Sequence, residues 1–359
     1  MYRIYLFVML LFVVSCTDPD DEPTVPIPPA EEENTYFPPL TGDEWATTPI
    51  DSLDWNLDKL EELKRFLAED NARSFMILVN GRIVVEEYFN GHSATDTWEW
   101  NSAGKTLVTA TTGIAQQEGL INITSKVSDY IGTEWTSAPL EKEALIQPYH
   151  LLSMSSGLND ESNFITKDNL TYLADAGTRW SYNNVFQILI DIISEVSDQD
   201  FQAYFTEKLE SKIGMEGFWN FGPIFKIYHS DTRSMARFGL LALNQGKWEE
   251  ETIVAEDFFQ ASVQPSQEIN PSYGYMWWLN GQPTFMLSNS QEVFQGSIVP
   301  NAPTDMYAAM GFAEQRLYIV PSKKMIVIRM GEASNVSDSD FALSDFDNVF
   351  WEKLNEVIN

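Results

Sequence analysis

Segments typical of β-strands lie near both ends of this chain, and helical patterns fill the region between them. Near the start, Phe75–Val79 and Ile83–Phe89 flank Asn80-Gly81, a dipeptide that favours a tight hairpin turn. Near the end, three further segments are rich in strand-forming residues and are separated by turn residues: Met306–Met310, Gln315–Val320 and Met325–Met330. Strands therefore come from both ends of the chain, with helices inserted between them.

Apolar residues recur at helical spacing in five places, and each place predicts an amphipathic helix. Gly119 and Gly246 follow two of these patterns as plausible C-terminal stops. The five patterns are Leu53–Leu67, Ser102–Gly119, Val185–Val196, Met235–Leu243 and Phe346–Leu354. We find no internal repeat. The middle of the chain is therefore predicted to be mostly helical.

The amino-acid composition argues against several classes of binding partner. The chain has 359 residues, 44% of them hydrophobic, which is enough apolar material for one large domain or two interleaved ones. Its 53 acidic and 22 basic residues give a formal charge of -31, which repels phosphate backbones and argues against nucleic acid as a partner. The three histidines, His92, His150 and His229, show no metal-ligand spacing. We expect neither a metal nor an organic cofactor.

The first residues have the pattern of an export signal. Arg3 precedes the apolar run Ile4–Val14, which is shorter than the roughly 20 residues that a membrane-spanning helix needs. The only cysteine, Cys16, ends the sequence Val-Val-Ser-Cys, which resembles the lipobox at which a bacterial lipoprotein is cleaved and acylated. Residues 1–15 are therefore predicted to be a lipoprotein signal peptide. An ordinary secretory leader with an incidental cysteine is the alternative.

An acidic, proline-rich segment follows the cysteine. Residues 16–45 contain too little apolar material to form a core and are predicted to be a tether. The acidic residues directly behind Cys16 resemble a surface-export signal, although they are equally explained as a solvated charge run. Residues 46–359 are then the folded domain, which we expect outside the cytoplasm, anchored by lipid to the bacterial cell envelope at the outer membrane or cell surface.

Ser102-Ala103-Gly104-Lys105 opens the second helical pattern. Residues three apart at a helix start share a face, so the lysine amine lies where it can accept the serine proton. The positive end of the helix also favours a developing negative charge on the hydroxyl. The pattern is weak by itself, because a serine at a helix start is most often only a cap.

A second polar element is Tyr182-Asn183-Asn184, which directly precedes the helical pattern that starts at Val185. In an extended segment, Tyr182 and Asn184 present a phenol and an amide on the same side. A structural interpretation competes with a functional one, since tyrosine is often a half-buried core residue and asparagine often caps a helix.

Several motifs occurring in one order closely resemble the β-lactamase-related serine hydrolases, over about Leu53 to the C-terminus. That family includes class C β-lactamases, penicillin-recognising D-alanyl-D-alanine peptidases, esterases and nylon-oligomer hydrolases. The motifs are Ser102-x-x-Lys105, His150–Leu158, Tyr182-x-Asn184, Met235–Leu240 and Tyr273–Trp278. The resemblance implies an α/β (α+β) fold, in which helices flank an antiparallel sheet and a mainly helical insert completes the active cleft.

The resemblance also implies roles for individual residues. Ser102 is the nucleophile, Lys105 its amine partner, Tyr182 a general base or proton shuttle, and Asn184 a group that binds substrate or orients the lysine. Whether Lys105 or Tyr182 takes the serine proton is left open at this point. We expect His150 and the pair Trp277-Trp278 to be structural.

The third family motif, Lys-Thr-Gly or His-x-Gly, is altered in this chain. Alignment places Phe312 at the position of the usual cation and Gln315 as the second backbone amide of the oxyanion hole. Arg316 lies four residues further along the chain, and Arg329 cannot be placed from the sequence. Without the cation, a substrate carboxylate would stay unpaired in the cleft, which disfavours penicillin-like substrates.

These observations predict hydrolysis of an ester or amide of a small or peptide-like molecule with an uncharged acyl group, through a Ser102 acyl-enzyme. Two alternatives stay open. One is a D-alanyl peptidase or β-lactamase that takes its cation from elsewhere. The other is a non-catalytic envelope binding protein that keeps the fold without turnover. The sequence predicts neither the oligomeric state nor the substrate.

Overall fold

A computed structural model describes the helices and strands of residues 34–288, 290–336 and 345–358. The strands are β1 (Ala72–Val79), β2 (Arg82–Tyr88), β3 (Trp98–Glu99), β4 (Gly217–Phe221), β5 (Lys226–Ser230), β6 (Lys247–Trp248), β7 (Glu251–Thr252), β8 (Trp278–Leu279), β9 (Thr284–Met286), β10 (Val293–Gln295), β11 (Tyr307–Gly311), β12 (Gln315–Val320) and β13 (Met325–Gly331). The helices are α1 (Leu57–Glu69), α2 (Lys105–Gln117), α3 (Ser128–Ile131), α4 (Leu140–Glu143), α5 (Pro148–Leu152), α6 (Ile188–Ser197), α7 (Phe201–Phe205), α8 (Ser211–Ile213), α9 (Thr232–Leu243), α10 (Glu256–Ser262) and α11 (Asp345–Ile358). Short 3-10 segments cover Ile50–Leu53, Asn101–Gly104, Val185–Gln187 and Pro321–Lys323, and a π-helical turn covers Thr206–Glu210.

A six-stranded antiparallel sheet joins the two ends of the chain, as the sequence predicts. Its strand order is β2-β1-β13-β12-β11-β8, so that β1 pairs with β13 from the other end. The predicted hairpin turn has positive φ at both Asn80 (50°) and Gly81 (81°), the backbone conformation that a two-residue hairpin requires. A Cβ atom at Gly81 would lie 1.9 Å from the Tyr36 carbonyl oxygen, so this close approach requires glycine.

Helices cover both faces of the sheet. Neighbouring residues of a strand point to opposite faces, and β12 shows both sides. Leu317 packs beneath Gly239 of α9, whereas the ring of Tyr318 stacks on Phe350 of α11 at 5.8 Å. Helix α1 packs beside α11 on that second face. The sheet is therefore buried on both sides, and its strand β11 is held beside the 3-10 segment that precedes α2.

Helix α2 runs through the interior of the protein. Every residue from Lys105 to Ala115 is buried, although the sequence predicts an apolar stripe on one side only. The helix packs against α6 and α10, and a Cβ atom at Gly113 would lie 2.5 Å from the Phe258 ring. The core therefore surrounds α2 and holds its N-terminal end in one position.

A three-stranded sheet of order β3-β5-β4 interrupts the region that the sequence predicts to be mostly helical. Strand β3 directly precedes the 3-10 segment Asn101–Gly104. The Trp100 amide donates to Tyr228 O at 2.8 Å, and the Trp100 indole donates to Ser230 Oγ at 2.8 Å. This small sheet thereby anchors the segment that carries Ser102.

The compact unit begins at Thr35, before the predicted domain boundary at residue 46. Residues 35–45, which the sequence analysis assigns to the tether, contact the domain. The Tyr36 amide donates to Asn80 O at 3.1 Å, and the Trp45 indole donates to Gly81 O at 2.8 Å. Cys16, the signal peptide at 1–15 and most of the tether lie outside the described residues, so the lipid anchor stays a prediction. Within the described ranges, no helix is both long and apolar enough to cross a bilayer.

Candidate active site

Ser102 lies in a 3-10 turn, one turn before the α-helix that the sequence predicts it to start. Residues i and i+3 of a 3-10 helix lie one above the other, which aligns Ser102 with Lys105 more closely than an α-helix would. Asn101, just before the serine, has φ of 50°, a left-handed conformation that asparagine tolerates better than most residues. Its side chain donates to Glu99 Oε1 at 3.0 Å and to Phe312 O at 3.2 Å. Asn101 therefore ties the serine turn to the end of β11.

Lys105 reaches the serine directly. Its amine donates to Ser102 Oγ at 2.8 Å. Burial lowers the pKa of Lys105 to about 7, because a charged ammonium loses its hydration inside the protein. The rings of Tyr182 and Phe186 lie 4.6 and 4.7 Å from the amine nitrogen, measured to their centroids. The amine is thus available without its proton near neutral pH.

Tyr182 completes the group around the nucleophile. Burial raises the pKa of its phenol, while a hydrogen bond with Ser102 and the charge of Arg316 lower it by less. The ring stacks on Trp278 at 5.6 Å and also packs against Trp180 and Tyr273. The structure therefore brings alcohol, amine and phenol together, with the phenol held in its neutral form.

These side chains open into a cavity of about 400 Å³. One part of its wall carries amide side chains and another part carries apolar rings, so the cavity suits a substrate with both polar and apolar groups. The lining residues are Asn101, Ser102, Gly104, Lys105, Asn163, Tyr182, Asn183, Asn184, Phe186, Gln187, Trp219, Phe225, Lys226, Ile227 and Phe312.

Asn184 lies on the wall of the cavity. Its amide nitrogen donates to Asn163 O at 3.0 Å. The described contacts thus join Asn184 to the loop at Asn163 and not to Lys105. Its role in binding substrate or orienting the lysine stays a prediction.

The residues of the altered third motif are placed differently from the sequence alignment. Phe312 lies at the cavity rim with half of its side chain exposed, but Gln315 is fully buried and is absent from the cavity wall. Gln315 starts β12 and pairs with Gly311 across the hairpin, which turns it into the interior. The structure therefore offers Phe312, and not Gln315, as the backbone amide next to the nucleophile.

Neither arginine replaces the missing cation. Arg316 is fully buried and makes two bonds to the Asp347 carboxylate, at 2.6 and 2.9 Å. Arg329 is equally buried and donates to backbone carbonyls. Both guanidinium groups lie on the sheet face that α11 covers, where Arg316 binds Asp347 and Arg329 lies over the Phe346 ring at 5.3 Å. The cavity rim at Phe312 consequently carries no arginine charge.

Two backbone N–H groups lie beside the nucleophile. Within the described ranges, neither the Ser102 nor the Phe312 amide has a hydrogen-bond acceptor. The end of β11 lies very close to the serine turn, since a Cβ atom at Gly311 would be 2.4 Å from Trp100 O and 3.0 Å from Ala103 N. Glycine at this position therefore lets the two amides approach each other.

The residues assigned to structure behave as the sequence predicts. Trp277 is fully buried against Phe238 and Tyr307. His150 accepts a hydrogen bond from the Gln147 amide at 3.0 Å and thereby caps α5. Trp278 is also buried, but it additionally supports the ring of Tyr182. Among the described residues, no group of three or more histidine, cysteine or acidic side chains could hold a metal ion.

Sequence reasoning missed several residues of the cavity. Asn101 had a local signal, because it directly precedes the nucleophile. Asn163, Trp219 and Lys226 had none, since they come from a loop and two strands that only the fold brings to Ser102. Lys226 supplies a cation, which forms an ion pair with Asp191 at 2.9 Å.

Comparison with known proteins shows the family of this chain. The sequence profile of the Beta-lactamase family matches residues 64–341, which is more than half of the chain. The chain belongs to the beta-lactamase family. It is a serine hydrolase of that family, and its antiparallel sheet with flanking helices matches the fold expected from the sequence. A search of the curated proteins finds no match.

Solved structures share the beta-lactamase fold at low sequence identity. A Bacteroides dorei protein described as a beta-lactamase is 13% identical with a TM-score of 0.66, over 85% of this chain and 99% of that one. A Bacillus anthracis protein described as a 6-aminohexanoate-dimer hydrolase is 19% identical with a TM-score of 0.65, over 90% and 89%. A family VIII carboxylesterase is 13% identical with a TM-score of 0.63, over 86% and 98%. At such identities the likeness shows the fold alone.

Proposed function

We propose that this protein hydrolyses an ester or amide through a covalent acyl-enzyme on Ser102. The observation that carries the proposal is the distance of 2.8 Å between Lys105 Nζ and Ser102 Oγ, in a site where burial lowers the pKa of Lys105 to about 7. A general base needs hydrogen-bond reach and a pKa near the working pH. Lys105 has both.

In the first step, neutral Lys105 takes the proton of Ser102 while Oγ forms a bond to the substrate carbonyl carbon. The carbonyl oxygen becomes an oxyanion. When the C=O bond re-forms, the bond to the leaving oxygen or nitrogen breaks, and that atom receives a proton. Water then attacks the acyl carbon while Lys105 takes a proton from it. The bond between the acyl carbon and Ser102 Oγ breaks, and Lys105 passes that proton to Oγ. The products are an acid and an alcohol or amine.

Tyr182 acts as a proton donor in this scheme. Its raised pKa keeps the phenol protonated at neutral pH, so it is a poor candidate for the first base. Its hydrogen bond with Ser102 places it beside the reacting oxygen. We assign to it the transfer of a proton to the leaving group, which Lys105 then restores.

We assign the oxyanion to the amides of Ser102 and Phe312. Both residues line the cavity, and both N–H groups lack an acceptor within the described residues. Removal of one such donor typically costs 10²–10³-fold in kcat. Phe312 replaces Gln315 in this role, since Gln315 lies outside the cavity wall.

Phe312 also argues for a substrate that is uncharged beside the end of β11, because this position carries a half-exposed apolar ring in place of a cation. We expect Phe312→Lys to increase the rate of acylation by benzylpenicillin at least about tenfold, the gain of one charge-assisted hydrogen bond. Hydrolysis of p-nitrophenyl butyrate should stay within about threefold of wild type. The rates are measured by mass spectrometry and absorbance.

Phe312→Met is the matched control for this experiment, since it alters the ring without adding charge. It should leave penicillin acylation at the wild-type rate. If benzylpenicillin acylates Phe312→Lys and Phe312→Met at the same rate, charge at this position does not select the substrate.

The acyl-enzyme itself is tested by trapping. We expect acid quenching of the full chain during p-nitrophenyl butyrate turnover to leave an added butyryl mass on the peptide that contains Ser102. Peptide mass spectrometry locates the label. A butyryl group on another residue, or turnover without any labelled peptide under rate-limiting deacylation, counts against the mechanism.

A D-alanyl peptidase or β-lactamase is the second candidate, and Lys226 is the observation that favours it. This residue places a cation on the cavity wall, as the unaltered third motif would do in this family. Its amine is already paired with Asp191 at 2.9 Å, so it is less available to a substrate carboxylate. Wild-type acylation by benzylpenicillin that is as fast as by the uncharged ester would favour this candidate.

A further inference from the structure

The loop between β11 and β12 has an unusual pattern of hydrogen bonds. Side chains donate to every backbone carbonyl from Gly311 to Gln315. Arg316 Nη1 donates to Gly311 O at 2.7 Å and to Gln315 O at 3.2 Å, one at each end of the loop. Arg316 thus connects the two ends of the loop, and its guanidinium donates two hydrogen bonds to Asp347.

Arg329 and Gln315 hold the middle of the loop. Arg329 Nη1 donates to Ala313 O at 2.8 Å and to Glu314 O at 3.2 Å. Gln315 Nε2 donates to Ala313 O at 2.9 Å and to Phe312 O at 3.3 Å. Arg316, Gln315 and Arg329 are fully buried, and we call these three residues the carbonyl clamp.

The backbone of the loop needs such support. Ala313 and Glu314 have positive φ values of 56° and 50°, a conformation that costs energy for residues with a Cβ atom. In a peptide unit the C=O and N–H point in opposite directions, so a peptide flip would exchange one for the other. A flip of the Gly311–Phe312 peptide would remove the Phe312 N–H from the cavity and point the Gly311 carbonyl towards the oxyanion.

We propose that the carbonyl clamp positions the oxyanion hole: it holds the loop carbonyls in the interior and thereby keeps the Phe312 N–H turned to the reacting carbonyl. The clamp residues touch no substrate, so they are positioning residues. This inference rests on the proposed acyl transfer at Ser102.

The test compares two buried arginines. Arg329→Met removes two donors and one charge from the clamp. Arg237→Met is the matched control, since Arg237 is also buried and donates to the carbonyls of Ile213 (3.0 Å) and Pro39 (2.7 Å), neither of which lines the cavity. Both variants of the full chain are assayed with p-nitrophenyl butyrate, and kcat is expressed per folded molecule after thermal unfolding and circular dichroism.

We expect Arg329→Met to lower kcat about 10²-fold with KM within about threefold, because misplacement of a transition-state donor affects kcat and not ground-state binding. Its Kd for phenylboronic acid, which forms a tetrahedral anionic adduct on serine, should weaken by a similar factor. Arg329→Lys keeps the charge, and its kcat should be about tenfold higher than that of Arg329→Met. Arg237→Met should keep kcat per folded molecule within about twofold.

Gln315→Met covers the case in which Arg329→Met does not fold, because it removes clamp donors without removing a charge, and it should lower kcat about tenfold. If Arg329→Met or Gln315→Met folds and keeps the wild-type kcat and the wild-type affinity for phenylboronic acid, the proposal that the clamp positions the oxyanion hole is wrong. An equal loss of kcat in Arg237→Met also overturns it, since the effect would then be general destabilisation. If the wild-type protein forms neither a boronate adduct nor an acyl group on Ser102, the proposed function itself is wrong. This result differs from the results that contradict only the clamp.

Discussion

Replacing Ser102 by alanine in the full chain is expected to lower kcat for p-nitrophenyl butyrate by about 10⁴-fold or more. The alanine variant removes the oxygen to which Lys105 donates at 2.8 Å, so the acyl-enzyme cannot form. Ser102 is partly exposed in a short 3-10 turn, and losing its hydroxyl leaves no large hole in the core. Steady-state hydrolysis and labelling by a fluorophosphonate both measure the effect.

Ser155→Ala is the matched control for this variant. Ser155 is a buried serine whose hydroxyl bonds to Ser153 Oγ at 2.8 Å, and it does not line the cavity. It should keep kcat within a few-fold of wild type and keep the fluorophosphonate label. A Ser102→Ala protein that still hydrolyses the ester at a tenth of the wild-type rate would show that another residue is the nucleophile.

Lys105→Met is expected to lower kcat about 10³-fold or more while making the protein more stable. Loss of a general base typically costs 10²–10⁴-fold, and here the amine also supplies the proton for the later steps. Methionine fills a similar volume without a charge. A raised melting temperature would show that the variant is folded, so that its low kcat reflects the missing base. A folded variant with kcat near wild type would show that Lys105 is not part of the mechanism.

The gain in stability of Lys105→Met over the wild type depends on pH. The folded-state pKa of Lys105, about 7, lies below its ordinary value of 10.5, so the unfolded chain binds more protons between these two pH values. Wild-type stability therefore rises with pH across this window and is lowest below pH 7, where the buried amine must carry its charge. A shift of this size corresponds to about 5 kcal/mol. The advantage of Lys105→Met should be largest below pH 7 and disappear towards pH 10.5.

The same amine determines the pH dependence of catalysis. Wild-type kcat/KM should fall about tenfold for each pH unit below 7 and reach a plateau above about pH 8, as the free enzyme's base titrates. If Tyr182 were the base, activity would continue to rise beyond pH 10, because burial raises the pKa of its phenol. Stopped assays between pH 5 and 10 distinguish the two residues.

Local sequence patterns predicted most of the elements that carry the site. The hairpin at Asn80-Gly81 and the strand Gln315–Val320 appear where their turn residues and apolar spacing place them. Ser102, Lys105 and Tyr182 meet around one hydroxyl, as the motif order suggests. The short sheet β3-β5-β4 was missed, because its strands have two to five residues and are stabilised by pairing with distant partners.

The sequence by itself indicated the family through the resemblance of its ordered motifs. It also determined the strands at both ends and the serine-lysine pair, because turn chemistry, apolar period and the i to i+3 spacing act over a few residues. Only the tertiary structure decided that Phe312 borders the cavity while Gln315, Arg316 and Arg329 point inward. The direction of these side chains depends on the strand register of β11, β12 and β13, and register is set by packing between segments far apart in the chain. The lowered pKa of Lys105 has the same origin, since burial of the amine requires the whole core around α2.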